Sequence, residues 1–273
     1  MTDSLPYAEV IGDPIAHSKS PLTHGFWLDA LGIEAEYRKT NVTAAELPGY
    51  FLSRRADPDW LGCNVTLPHK IAVMDYCDDP GGVRERIGAM NTIASEIGGP
   101  LIGTNTDAGG FLQPLIRDRW RGKSAVVVGA GGAARAILFA LASFGVPRIA
   151  VMARDPVKAR ALLDTAGVEE GEVLSMGDRL PGADLLVNAS SLGMTGQPSL
   201  DLDLSPLAES ATVYDIVYAP LETGLLAAGR ARGLKAIDGL DMLIGQAALA
   251  FDIFFDAEPP RERDAELRAL LTA

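Results

Sequence analysis

Residues 124–134 leave this chain few folds to choose from. Ser124-Ala125-Val126-Val127-Val128 is an unbroken run of small and β-branched side chains, the pattern of a strand covered on both faces in a parallel sheet. Gly129-Ala130-Gly131-Gly132-Ala133-Ala134 follows at once and opens an apolar helical stretch that reaches Phe144 and stops at Gly145. A buried strand turned sharply into a helix is the start of a βαβ unit. Further strands over residues 148–152, 184–188 and 212–217, with helices between them, extend it to a doubly wound α/β domain whose first strand begins near Lys123.

The glycine loop has the spacing G-x-G-x-x-A. Gly129 permits the tight turn, Gly131 lets a pyrophosphate approach the backbone, and Ala134 permits close helix packing. Ala130, Gly132 and Ala133 complete the loop and the helix N-terminus, whose N–H groups suit phosphate. The end of the second strand bears on which dinucleotide fits. A carboxylate there holds the ribose 2′-hydroxyl of NAD, and an arginine accommodates the 2′-phosphate of NADP. Ala153 stands in the acidic slot, followed by Arg154, Asp155, Pro156 and Lys158. Asp before Pro is also a helix start, so Asp155 is read as an N-cap, and Arg154 and Lys158 as the cations that favour NADP.

The part before residue 107 alternates short strands and helices. Strands are expected at residues 8–11, 36–41 and 61–65, with a turn at Gly12-Asp13-Pro14 and a helix over 21–31 closed by Gly32. Residues 91–96 and 101–104 read as a strand pair joined by Gly98-Gly99, and a helix opens at Gly109-Gly110 and runs to Trp120. Thr66 and Pro68 read as the start of another helix, which places Lys70 in its first turn. The helix dipole disfavours a cation there, so Lys70 is either a proton-transfer lysine or a surface lysine leaning outward. Ser20, before Pro21, is either an N-cap or, with Ser18, a pair of hydroxyls for a ligand carboxylate. Asp107 is likewise a cap or a partner of Lys70. Asn64, Thr66, Lys70, Asn91, Asn105 and Asp107 all fall at or just after strand ends, where α/β folds gather their sites, and they suit a small polyhydroxylated ligand.

A chain of 273 residues that is 48% hydrophobic can build one large or two ordinary domains. Its net charge of −12 speaks against nucleic acid and anionic membranes as partners. Cys63 and Cys77 lack metal-type spacing and are expected to be reduced thiols, and His17, His24 and His69 are not spaced as metal ligands. Met1-Thr2-Asp3-Ser4-Leu5-Pro6 lacks a signal peptide, and the apolar stretch over residues 242–255 is too short to span a bilayer. The expectation is a soluble cytoplasmic protein with no metal, binding a small molecule, as monomer or homodimer.

Seven ordered motifs resemble the shikimate dehydrogenase family over residues 9–251. They are Gly12-Asp13-Pro14-Ile15-Ala16-His17-Ser18-Lys19-Ser20-Pro21, Asn64-Val65-Thr66-Leu67-Pro68-His69-Lys70, Met90-Asn91-Thr92, Asn105-Thr106-Asp107, the glycine loop, Tyr214-Asp215-Ile216-Val217-Tyr218, and Asp238-Gly239-Leu240-Asp241-Met242-Leu243-Ile244-Gly245-Gln246. The resemblance implies an α/β substrate domain over residues 1–107, a Rossmann-type NADP domain over 108–238, and C-terminal helices over 239–273 that return to the first. It implies Lys70 as catalytic acid/base with Asp107 as partner, and Ser18, Ser20 and Tyr218 on the substrate carboxylate. Thr66, Asn91, Asp107 and Gln246 would surround the ring hydroxyls, with Asn64 also in the substrate site, and Ile216, Gly239 and Met242 would lie near the nicotinamide. The family commonly has Asn-Arg-Thr and a later Arg where this chain has Ala153-Arg154-Asp155 and Lys158, and Gly where Asp241 stands. The implied reaction is reversible NADPH-dependent reduction of 3-dehydroshikimate to shikimate. The alternatives are a quinate/shikimate dehydrogenase that uses NAD or both cofactors, and a catalytically silent ligand sensor. An intact Lys70 and Asp107 count against the sensor.

Overall fold

A computed structural model describes residues 4–95, 99–168 and 170–273. Its internal contacts divide the chain into two compact units, residues 1–106 with 244–273, and residues 107–243. No helix among the described residues is long and apolar enough to cross a membrane.

The first unit is built on a five-stranded sheet in the order β2-β1-β3-β4-β5. Here β1 is Tyr7–Gly12, β2 Glu36–Asn41, β3 Trp60–Val65, β4 Thr92–Ser95 and β5 Leu101–Thr104. β1 pairs parallel with both β2 and β3, and β4 and β5 add antiparallel. Every residue of β1 is buried, as a central strand requires. The expected Gly98-Gly99 turn between β4 and β5 falls partly on residues 96–98, outside the described residues.

Helix α1 (Ser20–Leu31) ends where expected, at Gly32 with a left-handed φ of 65°. It starts differently. Lys19 is the capping position and Ser20 is already helical, so Ser20 is not the N-cap. Two elements follow that the sequence reading left unnamed, α2 (Leu47–Arg55) and the single turn α3 (Val83–Arg86). The helix expected at Thr66 does not form. The Thr66 N–H donates to Ile11 O at 2.9 Å, and Leu67 O accepts from Asp13 N–H at 3.1 Å. Both groups are thus tied to the end of β1 instead of a helix. The chain passes through turns and reaches only a 3₁₀ segment, Ala72–Tyr76.

The second unit holds a six-stranded sheet, wholly parallel, in the order β11-β10-β9-β6-β7-β8. The strands are β6 Ser124–Val128, β7 Arg148–Ala153, β8 Glu170–Ser175, β9 Leu185–Asn188, β10 Thr212–Asp215 and β11 Lys235–Ile237. This is the doubly wound order, reversing between β6 and β9. Helix α4 (Asp107–Leu112) is shorter than expected because Pro114 lacks the N–H and crowds the preceding turn, leaving a 3₁₀ segment, Gln113–Leu115. α5 (Gly132–Ser143), α6 (Pro156–Thr165) and α7 (Gly224–Ala231) cover the sheet. The helices expected around β9 are absent. Residues 176–184 and 189–211 are irregular, in keeping with Gly177, Pro181, Gly182, Gly193, Gly196, Pro198 and Pro206. Val126, Val128, Met152, Leu186 and Val213 form the centre of this unit's core.

Helix α8 (Gly239–Phe255) carries the chain from the second unit back to the first, and α9 (Asp264–Thr272) follows it. Within the first unit, Phe251, Phe254 and Phe255 of α8 meet Trp27 and His24 of α1 and Tyr37 of β2. His24 is fully buried there, and its ring nitrogens have no hydrogen-bond partner among the described residues. Burial in this apolar wall pushes its pKa down from 6.5 to about 3.

The unfolded chain therefore takes up a proton at His24 below pH 6.5, whereas the folded chain resists until about pH 3. Stability is lost as pH falls through that window, at up to about 1.4 kcal/mol per pH unit from this group. His24→Phe keeps the aromatic packing and removes the proton site. Its urea-unfolding free energy is expected to fall less steeply than the wild type's between pH 6.5 and about 4. Parallel slopes would show that His24 does not carry the acid sensitivity.

Candidate active site

The first unit gathers polar groups where β3 and β5 end and β4 begins. Asn64, the penultimate residue of β3, is only 5% exposed. Its amide nitrogen donates to Asn91 O at 3.3 Å and to Thr92 Oγ1 at 3.0 Å, while its amide oxygen accepts from the Tyr37 hydroxyl at 2.5 Å. Asn91 comes just before β4. Its amide oxygen accepts from the Thr106 N–H at 2.7 Å and from Thr92 Oγ1 at 3.1 Å. Its amide nitrogen donates to Thr106 Oγ1 at 2.9 Å and to Gln246 Oε1, on α8, at 3.4 Å. All of these residues are buried, so each hydrogen bond replaces water that the site excludes.

Three candidates from the sequence, Asn64, Asn91 and Gln246, are thus brought into one connected network. Both amide hydrogens of Asn64 are used within the protein, so only its oxygen is left to face a ligand. Tyr37, Thr92 and Thr106 belong to the same network and were not singled out. Thr92 and Thr106 lie inside quoted motifs, whereas Tyr37 sits alone in an otherwise polar strand and carried no local signal. Asn105 is tied to its own surroundings, donating to Ala89 O at 2.9 Å.

Thr66 and Lys70 share the turn that leaves β3, and both are half-buried. Gly12 allows that turn to lie against β1, because a Cβ there would stand 2.5 Å from Thr66 Cγ2 and 2.9 Å from Leu67 O. His69, buried between them, contacts Val42 O through Nε2 at 2.5 Å, and Lys70 O accepts from the Met90 N–H at 2.7 Å. Lys70 is therefore held by tertiary contacts and not by a helix first turn, so the dipole argument for its chemistry falls away. In the loop before α1, Ser18 Oγ accepts from the Ser20 N–H at 3.3 Å, which gives Ser18 the bond that a cap would make. Ser20 is buried, and its hydroxyl acts as a hydrogen-bond partner of Tyr37.

In the second unit, Gly129 turns off β6 with φ of +114°, and a Cβ there would stand 2.9 Å from Ala189 O, next to β9. Only glycine fits. Gly131 differs, since nothing lies within 4 Å of the place where its Cβ would be. It is exposed at the N-terminus of α5, whereas Gly132 and Ala134 are buried and Ala130 and Ala133 half-buried. Open backbone at a helix N-terminus is what a pyrophosphate needs. Ala153, at the end of β7, is buried and carries no charge. Asp155 caps α6, accepting from the N–H groups of Val157 and Lys158 at 3.1 Å each, and these bonds hold its carboxyl below the usual range. Lys158 Nζ lies 3.6 Å from the same carboxylate, so part of its charge is already answered. Arg154 is exposed and has no hydrogen bond or ion pair to another described residue.

Asp107 opens α4 as its first helical residue and is buried. Tyr218 follows the end of β10, and burial raises its pKa. The segment carrying it is anchored by Asp215, whose carboxylate accepts from Asn188 Nδ2 at 2.9 Å, Val217 N–H at 3.0 Å and Thr223 Oγ1 at 2.7 Å. Gly239 starts α8 against this segment, where a Cβ would stand 2.3 Å from Ile216 O. Ile216 and Gly239 therefore adjoin, and Met242 is buried one turn further along α8.

The chain as a whole is similar to known proteins. Residues 10–93 match the shikimate dehydrogenase substrate binding domain, and residues 239–266 match the shikimate 5′-dehydrogenase C-terminal domain. The shikimate dehydrogenase (NADP(+)) of Sphingopyxis alaskensis is 63% identical over 268 residues, covering 98% of this chain and 97% of that protein. The crystal structure of shikimate 5-dehydrogenase from Thermus thermophilus, in complex with NADP(H) and shikimate, is 36% identical with a TM-score of 0.86, covering 98% of this chain and all of that one. The ligand-free 5-ketofructose reductase of a Gluconobacter species is 31% identical with a TM-score of 0.89, covering 98% of this chain and 99% of that one. With such identity along nearly its whole length, the chain belongs to the shikimate dehydrogenase family.

Proposed function

We propose that this chain catalyses the reversible NADPH-dependent reduction of 3-dehydroshikimate to shikimate, a step toward aromatic compounds. Identity of 63% with a shikimate dehydrogenase (NADP(+)) along nearly the whole chain carries this reading. The residues fit the cofactor. Gly131 leaves its phosphate position open, Ala153 presents no carboxylate, and Arg154 offers a planar cation to a 2′-phosphate. An NAD-using quinate/shikimate dehydrogenase is not favoured, because Asp155 spends its carboxylate on the cap of α6. When bound, NADPH supplies the hydride that reduces the ketone.

The protein's own part is to bind, orient and protonate. Lys70 gives a proton to the substrate oxygen as negative charge develops there, and Asp107 orients the lysine. Ser18, Ser20 and Tyr218 take the carboxylate through hydroxyl donors. Thr66, Asn91 and Gln246 meet the ring hydroxyls, with Asn64 bracing Asn91 from behind. Gly129, Ala130, Gly131, Gly132 and Ala133 hold the pyrophosphate, Arg154 with Lys158 the 2′-phosphate, and Ile216, Gly239 and Met242 the nicotinamide. We divide the chain into a substrate domain over residues 1–107, a dinucleotide domain over 108–238, and C-terminal helices over 239–273. We place it in the cytoplasm, acting on a small molecule.

Lys70→Ala is expected to fold and to lose about 10²- to 10⁴-fold in kcat, the usual share of a general acid. Asp107→Asn is expected to lose activity too, and the double variant to be no worse than Lys70→Ala if the pair works as a unit. Near-wild-type kcat in Lys70→Ala at neutral pH would remove the lysine from the chemistry.

Cofactor choice is read from kcat/KM with NADP and NAD. The wild type is expected to prefer NADP, and Arg154→Ala to lose NADP efficiency while NAD efficiency changes little. Equal losses with both cofactors would mean that Arg154 does not read the 2′-phosphate. Gly131→Ala has room for its methyl group, so its melting temperature is expected to stay near the wild type's while the KM for NADP rises. A large loss of melting temperature would instead make Gly131 a requirement of the fold.

A further inference from the structure

Tyr37 is buried on β2, and its ring stacks on that of His24 at 3.9 Å with 7° between the planes. The polarity of its surroundings is set by backbone groups, which cannot exchange roles. Asn91 O can only accept, so the Asn64 amide must turn its nitrogen toward it. The Asn64 oxygen then faces Tyr37, and the Tyr37 hydroxyl must donate to it. The second Asn64 hydrogen goes to Thr92 Oγ1, which leaves the Thr92 proton for Asn91 Oδ1. The Thr106 N–H also donates to Asn91 Oδ1, so the Asn91 nitrogen points to Thr106 Oγ1 and to Gln246 Oε1. The chain ends with the Gln246 oxygen turned inward.

We propose that Tyr37 is a positioning residue of the substrate site, its hydroxyl holding the Asn64 amide in the orientation that supports Asn91 and, through Asn91, turns the Gln246 nitrogen toward the ligand as a donor. This rests on the reading of Gln246 as a substrate contact. Without the Tyr37 proton, Asn64 Oδ1 is a buried acceptor with no donor, a costly state that the amide relieves by rotating. Rotation withdraws its nitrogen from Asn91 O and Thr92, and Asn91 loses the bond that Thr92 directs to it. His24 serves as the flat surface that keeps the Tyr37 ring in place. Tyr37 itself stays protonated, since burial drives its pKa well above the ordinary tyrosine value.

The experiment compares wild type, Tyr37→Phe, Gln246→Ala and the double variant by steady-state kinetics with shikimate and NADP, alongside their melting temperatures. Tyr37→Phe is expected to raise the KM for shikimate about tenfold, the effect of losing one hydrogen bond, to lower kcat less than it raises KM, and to leave the KM for NADP unchanged. In the Gln246→Ala background, the same change is expected to alter the KM for shikimate by less than about twofold, because the residue it acts through is gone. If Gln246→Ala raises that KM while Tyr37→Phe does not, the inference is overturned and the reading of Gln246 stands. Fully multiplicative effects in the double variant also overturn it, since they describe a structural role only. An unchanged KM in Gln246→Ala overturns both together. Should Tyr37→Phe not fold, Thr92→Val breaks the same chain one link further on, and the same outcomes decide.

Discussion

The close passage of Gly129 against the Ala189 carbonyl is the contact on which the second unit depends. β6 and β9 lie side by side although the chain between them first builds β7 and β8 on the other flank. Their ends must separate at once, one into α5 and the other into an irregular segment. Gly129 makes this possible by a left-handed turn with no side chain. The reversal of strand order at this point opens space at the helix N-terminus, and Gly131 leaves it unfilled. A close approach and an open backbone thus fall on nearby glycines for different reasons. The first holds the backbone together, and the second keeps it bare.

The first unit solves a different problem. Its buried polar groups are small and stand at the ends of strands, so their direction is easily lost. The solution is to anchor amide side chains on backbone groups whose donor or acceptor character is fixed. Asn64 is tied to Asn91 O and Asn91 to the Thr106 N–H. Low exposure makes each of these bonds costly to leave unmade, so the network has one arrangement. The turn carrying Thr66 and Lys70 is held likewise, by backbone bonds to β1 and to Met90 just before β4, and by the seat that Gly12 leaves open.

Much of the fold was legible because apolar periodicity and glycine placement are local signals. β2, β5 and β6 fell where expected, and the end of α1 followed from Gly32, since a left-handed cap favours glycine. The family was legible for a related reason: its motifs are short contiguous runs. The helix at Thr66 was misread because Thr and Pro are equally suited to a helix start and to a turn bound by a neighbouring strand, and only β1 decides between them. Of the two readings of Ser20 the cap falls away, because Lys19 takes the capping position. The stop of α4 is written locally at Pro114, which has no N–H to continue the helix.

The sequence by itself determined the parallel sheet, the glycine loop and the residue types of the site, because each depends on neighbours within a few positions along the chain. Tertiary structure alone decided what those residues do for one another. It joined the amides of Asn64 and Asn91, and brought Tyr37 of β2 and Gln246 of α8 to the two ends of one hydrogen-bond chain. Residues 37 and 246 meet the same network only because β2, the strand ends and α8 converge in the folded unit. No local pattern records that convergence, since the direction of a hydrogen bond is fixed by the partner across space and not by the next residue in the chain.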